Sequence, residues 1–275
     1  KKGHEVTVYN PSFHPYQDDY YLGVKIKHIY SPKKYLGSAV SNFIFDFFCL
    51  RDAIRSGFDI ILELGLITAA PAIIFCRKKS NIVVTNLDGL EWKRAKWGKF
   101  TKWFLKFSEK IAVKYADEII TDNKVITDYV KSEYDASSHL IAYGGDHVTN
   151  ESFDDQLIEK YPLVKSDYAF KVCRIEPENN IHIILEAFSI LPEKNIVCIG
   201  NWVNSEYGKN LKMEYAEYKN IFLLDPIYDQ TVLNQFRSNC NLYLHGHSAG
   251  GTNPSLVEAM YLIKGRSVAS KEATL

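Results

Sequence analysis

The stretch Tyr168-Ala-Phe-Lys-Val-Cys-Arg174-Ile-Glu-Pro-Glu-Asn-Asn180-Ile-His-Ile-Ile-Leu-Glu-Ala-Phe-Ser-Ile-Leu191 sets an apolar run of strand length against a helical pattern opened by Asn180. Apolar residues are continuous in the first part and return every three or four positions in the second, which reads as one βα unit. The alternation continues downstream, with strands expected at 195–199, 221–224 and 241–244 and helices at 180–191, 206–218 and 230–238. Upstream, strands are expected near 5–9, 24–29, 58–62, 81–85, 118–121 and 139–142, with helical patterns over 38–55, 66–77, 98–116 and 125–134. Strands joined by crossover helices predict parallel sheets. Residues 146–165 interrupt the alternation, being polar, poorly periodic and marked by Pro162. The expected class is therefore α/β with two Rossmann-like domains facing a central cleft. Their expected bounds are 1–146, lacking the opening of its first βα unit, and 168–275, with 147–167 as linker. No closing element is legible after Met260.

The chain has 275 residues, 46% hydrophobic and 13% aromatic, enough apolar material for large cores and unlike a disordered chain. Its 33 basic and 33 acidic residues cancel, so the overall positive charge typical of a nucleic-acid binder is absent. The split is uneven: residues 1–146 carry 21 Lys/Arg against 17 Asp/Glu, and the remainder is acidic. Five scattered cysteines without a Cys-x-x-Cys pair read as buried thiols of a reducing compartment. The longest apolar run, 60–75, contains Glu63, Gly65 and Pro71 and falls short of the about 20 residues a spanning helix needs.

In open α/β sheets ligands bind beyond the carboxyl ends of the strands, so the residues that follow each strand are the candidates. Arg174 offers a fixed fork of donors for phosphate at such a position; an ordinary pair with Glu176 or Glu178 is the structural alternative. In His245-Gly-His-Ser-Ala-Gly250-Gly-Thr-Asn-Pro-Ser-Leu-Val-Glu258-Ala-Met260, a strand end runs through adjacent glycines to Asn253, a good N-cap, and Pro254, a good first helical residue. Free N–H groups and the positive dipole end there suit a diphosphate, and Glu258, one turn in, can accept from the vicinal hydroxyls of a ribose. Asp88 and Glu91 follow the strand expected at 81–85, where they either face the cleft or serve as turn and helix-start residues. His245 and His247 lack a visible third ligand, so a metal is not expected and His245 reads as a hydrogen-bonding group. Residues 93–110 hold seven cations (Lys93, Arg94, Lys96, Lys99, Lys102, Lys106 and Lys110) against Glu109, interleaved with aromatics, a pattern suited to an anionic membrane surface or to a packed helix with solvated lysines.

Taken together, the Arg174–Asn180 stretch and the Gly250–Met260 stretch resemble the donor half of retaining GT-B glycosyltransferases of family 4. The run Asn86-Leu-Asp-Gly-Leu-Glu-Trp-Lys-Arg-Ala-Lys-Trp97 is similar to a bacterial rhamnosyltransferase-like subgroup of capsule and O-antigen biosynthesis. The resemblance implies a hexosyltransferase using a dTDP- or UDP-linked sugar, without metal or other cofactor, on a polyprenyl-diphosphate-linked glycan at the inner face of the cell membrane. By the same resemblance Arg174 contacts the donor diphosphate, Gly250, Gly251, Thr252 and Asn253 hold phosphate and sugar, and Glu258 binds the ribose. Asp88 and Glu91 would orient hydroxyls, and the donor phosphate itself accepts the acceptor's proton. Two positions depart from the family pattern: Gly250 stands where a Glu usually touches the sugar, and Asn179 where a Lys is common. Those departures keep open a non-catalytic glycan-binding or assembly subunit; the enzyme rival is a GT-B sugar-nucleotide epimerase, which would need acids and bases in the cleft.

Overall fold

The computed structural model describes every residue except 1, 2, 34, 37, 65–69, 75–80, 95, 96, 249, 250, 264–266 and 271–275, with backbone alone for 38, 39 and 267–270. It divides into two compact units, Lys1–Ile141 and Ala142–Leu275.

The first unit opens with β1 (Thr7–Pro11), β2 (Tyr20–Tyr21) and β3 (Val24–Ile29), ordered β1-β3-β2. β1 runs parallel to β3, and β2 is antiparallel to it. Leu22 and Gly23 both have positive φ (50° and 77°), the turn geometry that a two-residue hairpin requires. After α1 (Ser38–Ser56) come β4 (Ile60–Glu63), β5 (Ile82–Leu87), α2 (Lys99–Tyr115), β6 (Glu118–Thr121), α3 (Lys124–Tyr134) and β7 (His139–Leu140). The second sheet is parallel throughout, in the order β4-β5-β6-β7. Leu50, Ala53 and Ile54 of α1 pack on Ile61 and Val83 of that sheet. From β1, Tyr9 joins the same cluster and donates its hydroxyl to Asp52 at 2.7 Å, while Lys27 of β3 pairs with Asp52 at 2.6 Å. One helix therefore ties both sheets together.

The second unit holds α4 (Asp155–Lys160), β8 (Tyr168–Val172), α5 (Ile181–Ser189), β9 (Asn195–Ile199), α6 (Glu206–Glu214), β10 (Ile221–Leu224), α7 (Gln230–Asn239), β11 (Leu242–His245), α8 (Pro254–Leu262) and β12 (Ser267–Ser270). Its parallel sheet is ordered β10-β9-β8-β11-β12, with β8 central. Tyr168 and Phe170 point to a core with Phe236, Tyr243 and Ala259, and Ala169 points to the opposite core of Ile181, Leu185, Ile196, Trp202 and Leu211. This period-two alternation with both faces covered is why the strand reads as unbroken apolar sequence.

Three differences from the sequence reading have physical causes. Residues 147–167, read as a linker, pack on the second unit: Asp154 caps α4 by accepting from the Leu157 amide at 2.7 Å, and Leu157 and Val164 are buried beside Phe236. So few apolar residues span the stretch that no period showed. Beyond α8, where no closing element was legible, β12 pairs in parallel with β11; Ser-Val-Ala-Ser is too short and polar to register as a strand. α6 stops at Glu214, before the expected end at Tyr218, and Tyr215 turns back into the core. Most of the helix expected at 66–77 lies outside the described residues.

Candidate functional site

In the second unit the carboxyl ends of neighbouring β8 and β11 deliver two loops to one place. The loop after β8 carries Arg174 and ends at Asn180, whose φ of 52° is left-handed. From there Asn180 donates its Nδ2 to the Gly246 carbonyl at 2.7 Å. Asn179, 4% exposed, donates its Nδ2 to the Arg174 carbonyl at 2.7 Å, and its Oδ1 lies 2.6 Å from Nδ1 of His247. The Ser248 amide and hydroxyl both donate to the Glu178 carbonyl at 2.9 Å. Asn179 is thus spent on holding the two loops to each other. Gly246 is held just as tightly: a Cβ there would sit 2.6 Å from the Asn179 carbonyl oxygen, which cannot retreat without breaking these bonds.

Arg174 is the open cation of this platform. Its side chain is 65% exposed and its one ion pair among the described residues is a loose 3.8 Å contact with Glu176. The α8 start is less open than expected. Pro254 has no N–H, Ser255 donates to Asn253 Oδ1 at 2.9 Å, and Leu256 and Val257 donate to the Asn253 carbonyl. What α8 offers an anion is its dipole and the loop before it, with Gly251 and Thr252. Gly250 lies outside the described residues.

Glu258 is 12% exposed and fully engaged. Its Oε2 lies 2.5 Å from the buried guanidinium of Arg237 on α7, and its Oε1 lies 3.1 Å from Nε2 of His147. Arg237 escaped the sequence reading because an Arg inside a helix, set among Asn234, Gln235, Ser238 and Asn239, looks solvated, and nothing in the sequence signals its burial. His245 is half-buried, and burial, with Lys171 and His247 adding, pushes its imidazole down to about 4.

In the first unit the carboxyl edge is acidic. Asp88 follows β5, and desolvation, reinforced by Asp122 and Glu91, holds its carboxyl above the usual range. Glu91 faces its own turn, pairing with Arg94 at 2.8 Å and accepting from Trp97 Nε1 at 3.2 Å. Sequence reasoning missed Glu63 at the end of β4, which desolvation, with Asp46, pushes up to about 7. Among the described residues no group of three His, Cys, Asp or Glu is placed to hold a metal ion.

Comparison with solved structures places this architecture. HepE from Anabaena in complex with UDP-glucose is 15% identical with a TM-score of 0.66, covering 90% of this chain and 66% of its own. Sucrose-phosphate synthase from Thermosynechococcus elongatus gives 15% identity and a TM-score of 0.74, covering 97% and 71%. A UDP-N-acetylglucosamine 2-epimerase from Listeria monocytogenes gives 13% and 0.57, covering 86% and 64%. The fold is GT-B. The chain spans about two thirds of the length of these GT-B proteins. Residues 60–146 match a domain of unknown function, DUF1972. No curated protein matches the sequence.

Three outcomes test this geometry. Gly246→Ala should cost about 1–3 kcal/mol in urea unfolding, because overpacking against a backbone oxygen has no flexible neighbour to absorb it. Glu258→Gln strands the buried Arg237 charge and should cost about 3–5 kcal/mol, most of it recovered when Arg237→Met is added. An unchanged urea midpoint in either single variant would contradict the geometry. For His245 the folded value lies below the unfolded 6.5, so the unfolded state binds the proton first. Its contribution is complete above pH 6.5 and is lost as pH falls toward 4; His245→Asn should therefore lose less stability than wild type between pH 7 and 5.

Proposed function

We propose that the chain is a nucleotide-sugar-dependent glycosyltransferase. The observation that carries this reading is Arg174, an exposed guanidinium at the carboxyl end of the central strand, next to the loop that leads into the positive end of α8. A departing nucleoside diphosphate gains negative charge as its bond to the sugar breaks, and a preformed guanidinium stabilises that charge without reorganisation. Glu258, its rotamer fixed by Arg237, is the group for the ribose, with His147 giving way to the sugar hydroxyls. The donor is a dTDP- or UDP-linked hexose, with rhamnose the sugar the sequence resemblance favours, and transfer proceeds with retention. Removing the cation by Arg174→Ala should cost about 2–4 kcal/mol of transition-state stabilisation, read as a loss of kcat/KM in donor turnover. Turnover within twofold of wild type would refute the role.

The proposed acceptor is a polyprenyl-diphosphate-linked glycan at an anionic leaflet, met through α2. Phe100, Trp103 and Phe107 are 78%, 61% and 45% exposed and form a ladder, the last two rings stacked at 5.7 Å and 6°. Exposed aromatics flanked by Lys99, Lys102 and Lys110 suit a headgroup layer. Lys106 does not belong to that set: it pairs with Glu133 at 3.0 Å and lies under the rings of Trp92, Tyr129 and Tyr134. No described helix is long and apolar enough to cross a membrane, so attachment at the inner face of the membrane would be peripheral. Combined Phe100→Ser, Trp103→Ser and Phe107→Ser should abolish sedimentation with anionic vesicles, and salt should weaken wild-type binding; sedimentation equal to wild type would refute the attachment.

A second reading, an epimerase, is favoured by Glu63 and Asp88, two carboxyls with raised pKa at the carboxyl edge of one sheet, since reversible elimination needs an acid and a base. Epimerised sugar nucleotide formed without acceptor would decide for it.

A further inference from the structure

We infer that Lys171 is the buried cation of an anion site at the carboxyl edge of the second unit's sheet, and that the ligand it takes is the diphosphate of the donor. The identity of the ligand rests on the function proposed above; the anion site does not.

Lys171 is the last residue but one of β8, the central strand, and is 2% exposed. It makes no hydrogen bond or ion pair with any described residue. An ammonium buried without a counter-charge is among the costliest groups a core can hold. Every other buried position of β8 is filled by Tyr168, Ala169 or Phe170. Its surroundings supply no compensation. Directly across on β9 stands Cys198, and Cys173 follows two residues on; burial pushes both thiols up, Cys173 to about 11, so neither is an anion at neutral pH. On β11 it is felt by the imidazole of His245, itself uncharged at neutral pH and followed by buried His247. Lys171, His245 and His247 therefore gather one fixed and two potential positive charges.

The place is also where an anion would arrive. His245 ends β11, from which the loop runs to α8, and Arg174 lies three residues beyond Lys171, in the loop that follows the neighbouring β8. The first amides of α8 are taken by Asn253, so donors to a ligand at this edge come from side chains and from the loop before α8. A buried ammonium below and an exposed guanidinium beside the loop match a ligand with two adjacent anionic centres, which a diphosphate has and a neutral sugar does not.

The test compares the full chain with Lys171→Met and with Lys194→Met, an exposed control, using inorganic pyrophosphate and UDP as probes. Lys171→Met removes an uncompensated buried charge and should raise the melting temperature without ligand, while weakening pyrophosphate binding by about tenfold or more. The control should change neither. Pyrophosphate affinity equal to wild type in Lys171→Met, or no binding of either probe by wild type, overturns the inference. Lys171-dependent pyrophosphate binding with no binding of UDP upholds the anion site and removes the nucleotide-donor reading alone. Should Lys171→Met fail to fold, the His245 imidazole of the wild type gives the same answer by NMR. Pyrophosphate bound beside it should raise its pKa, and an unmoved titration overturns the inference.

Discussion

The bond from Asn180 to the Gly246 carbonyl, together with the Asn179–His247 contact, is the constraint on which the rest of the candidate site depends. Two parallel neighbours in a sheet end side by side, but their loops diverge unless something holds them. Here two consecutive asparagines do so, one through a left-handed backbone that turns its amide toward the other loop. Arg174 and the approach to α8 then occupy one rigid edge, and a cation and a helix dipole act on the same small volume. A ligand bound at this edge would not consume binding energy in assembling the site.

Charge is distributed across this edge by burial. Arg237 is sealed behind Glu258 and serves that carboxylate, Lys171 is buried with no ion pair among the described residues, and Arg174 is open. Three cations of one unit thus take three different roles. Sequence alone could not separate them, since each is a basic residue beside apolar ones. The first unit is arranged oppositely, with Glu63 and Asp88 protonated more readily than surface carboxyls.

Much of the fold was legible. The strands at 24–29, 118–121, 168–172, 195–199 and 221–224 coincide with β3, β6, β8, β9 and β10; β8 and β9 were legible because strands covered on both faces leave nearly continuous apolar runs, and β3 because Val24, Ile26 and its lysines alternate. What stayed hidden depends on long-range pairing. β12 exists by virtue of β11, α4 by virtue of Phe236, and the β2–β3 hairpin by a Leu-Gly turn that gives no strong sequence signal. Among the candidate residues, Arg174 and the helix start at Pro254 were singled out by position after a strand, and Glu258 by its place one turn into that helix. Asn179, which stands where the family commonly has a Lys, uses both ends of its amide to hold the two loops, and only the structure shows this. Glu91 likewise turns to Arg94 and Trp97.

The most direct measurement is a crystal structure of the chain with an intact sugar nucleotide bound. The expected density places the diphosphate against the Arg174 guanidinium at the carboxyl ends of β8 and β11, with the ribose directed to Glu258. A nucleotide bound away from those two strand ends, or one whose diphosphate touches neither Arg174 nor the loop leading to α8, would contradict the assignment of this edge as the donor site.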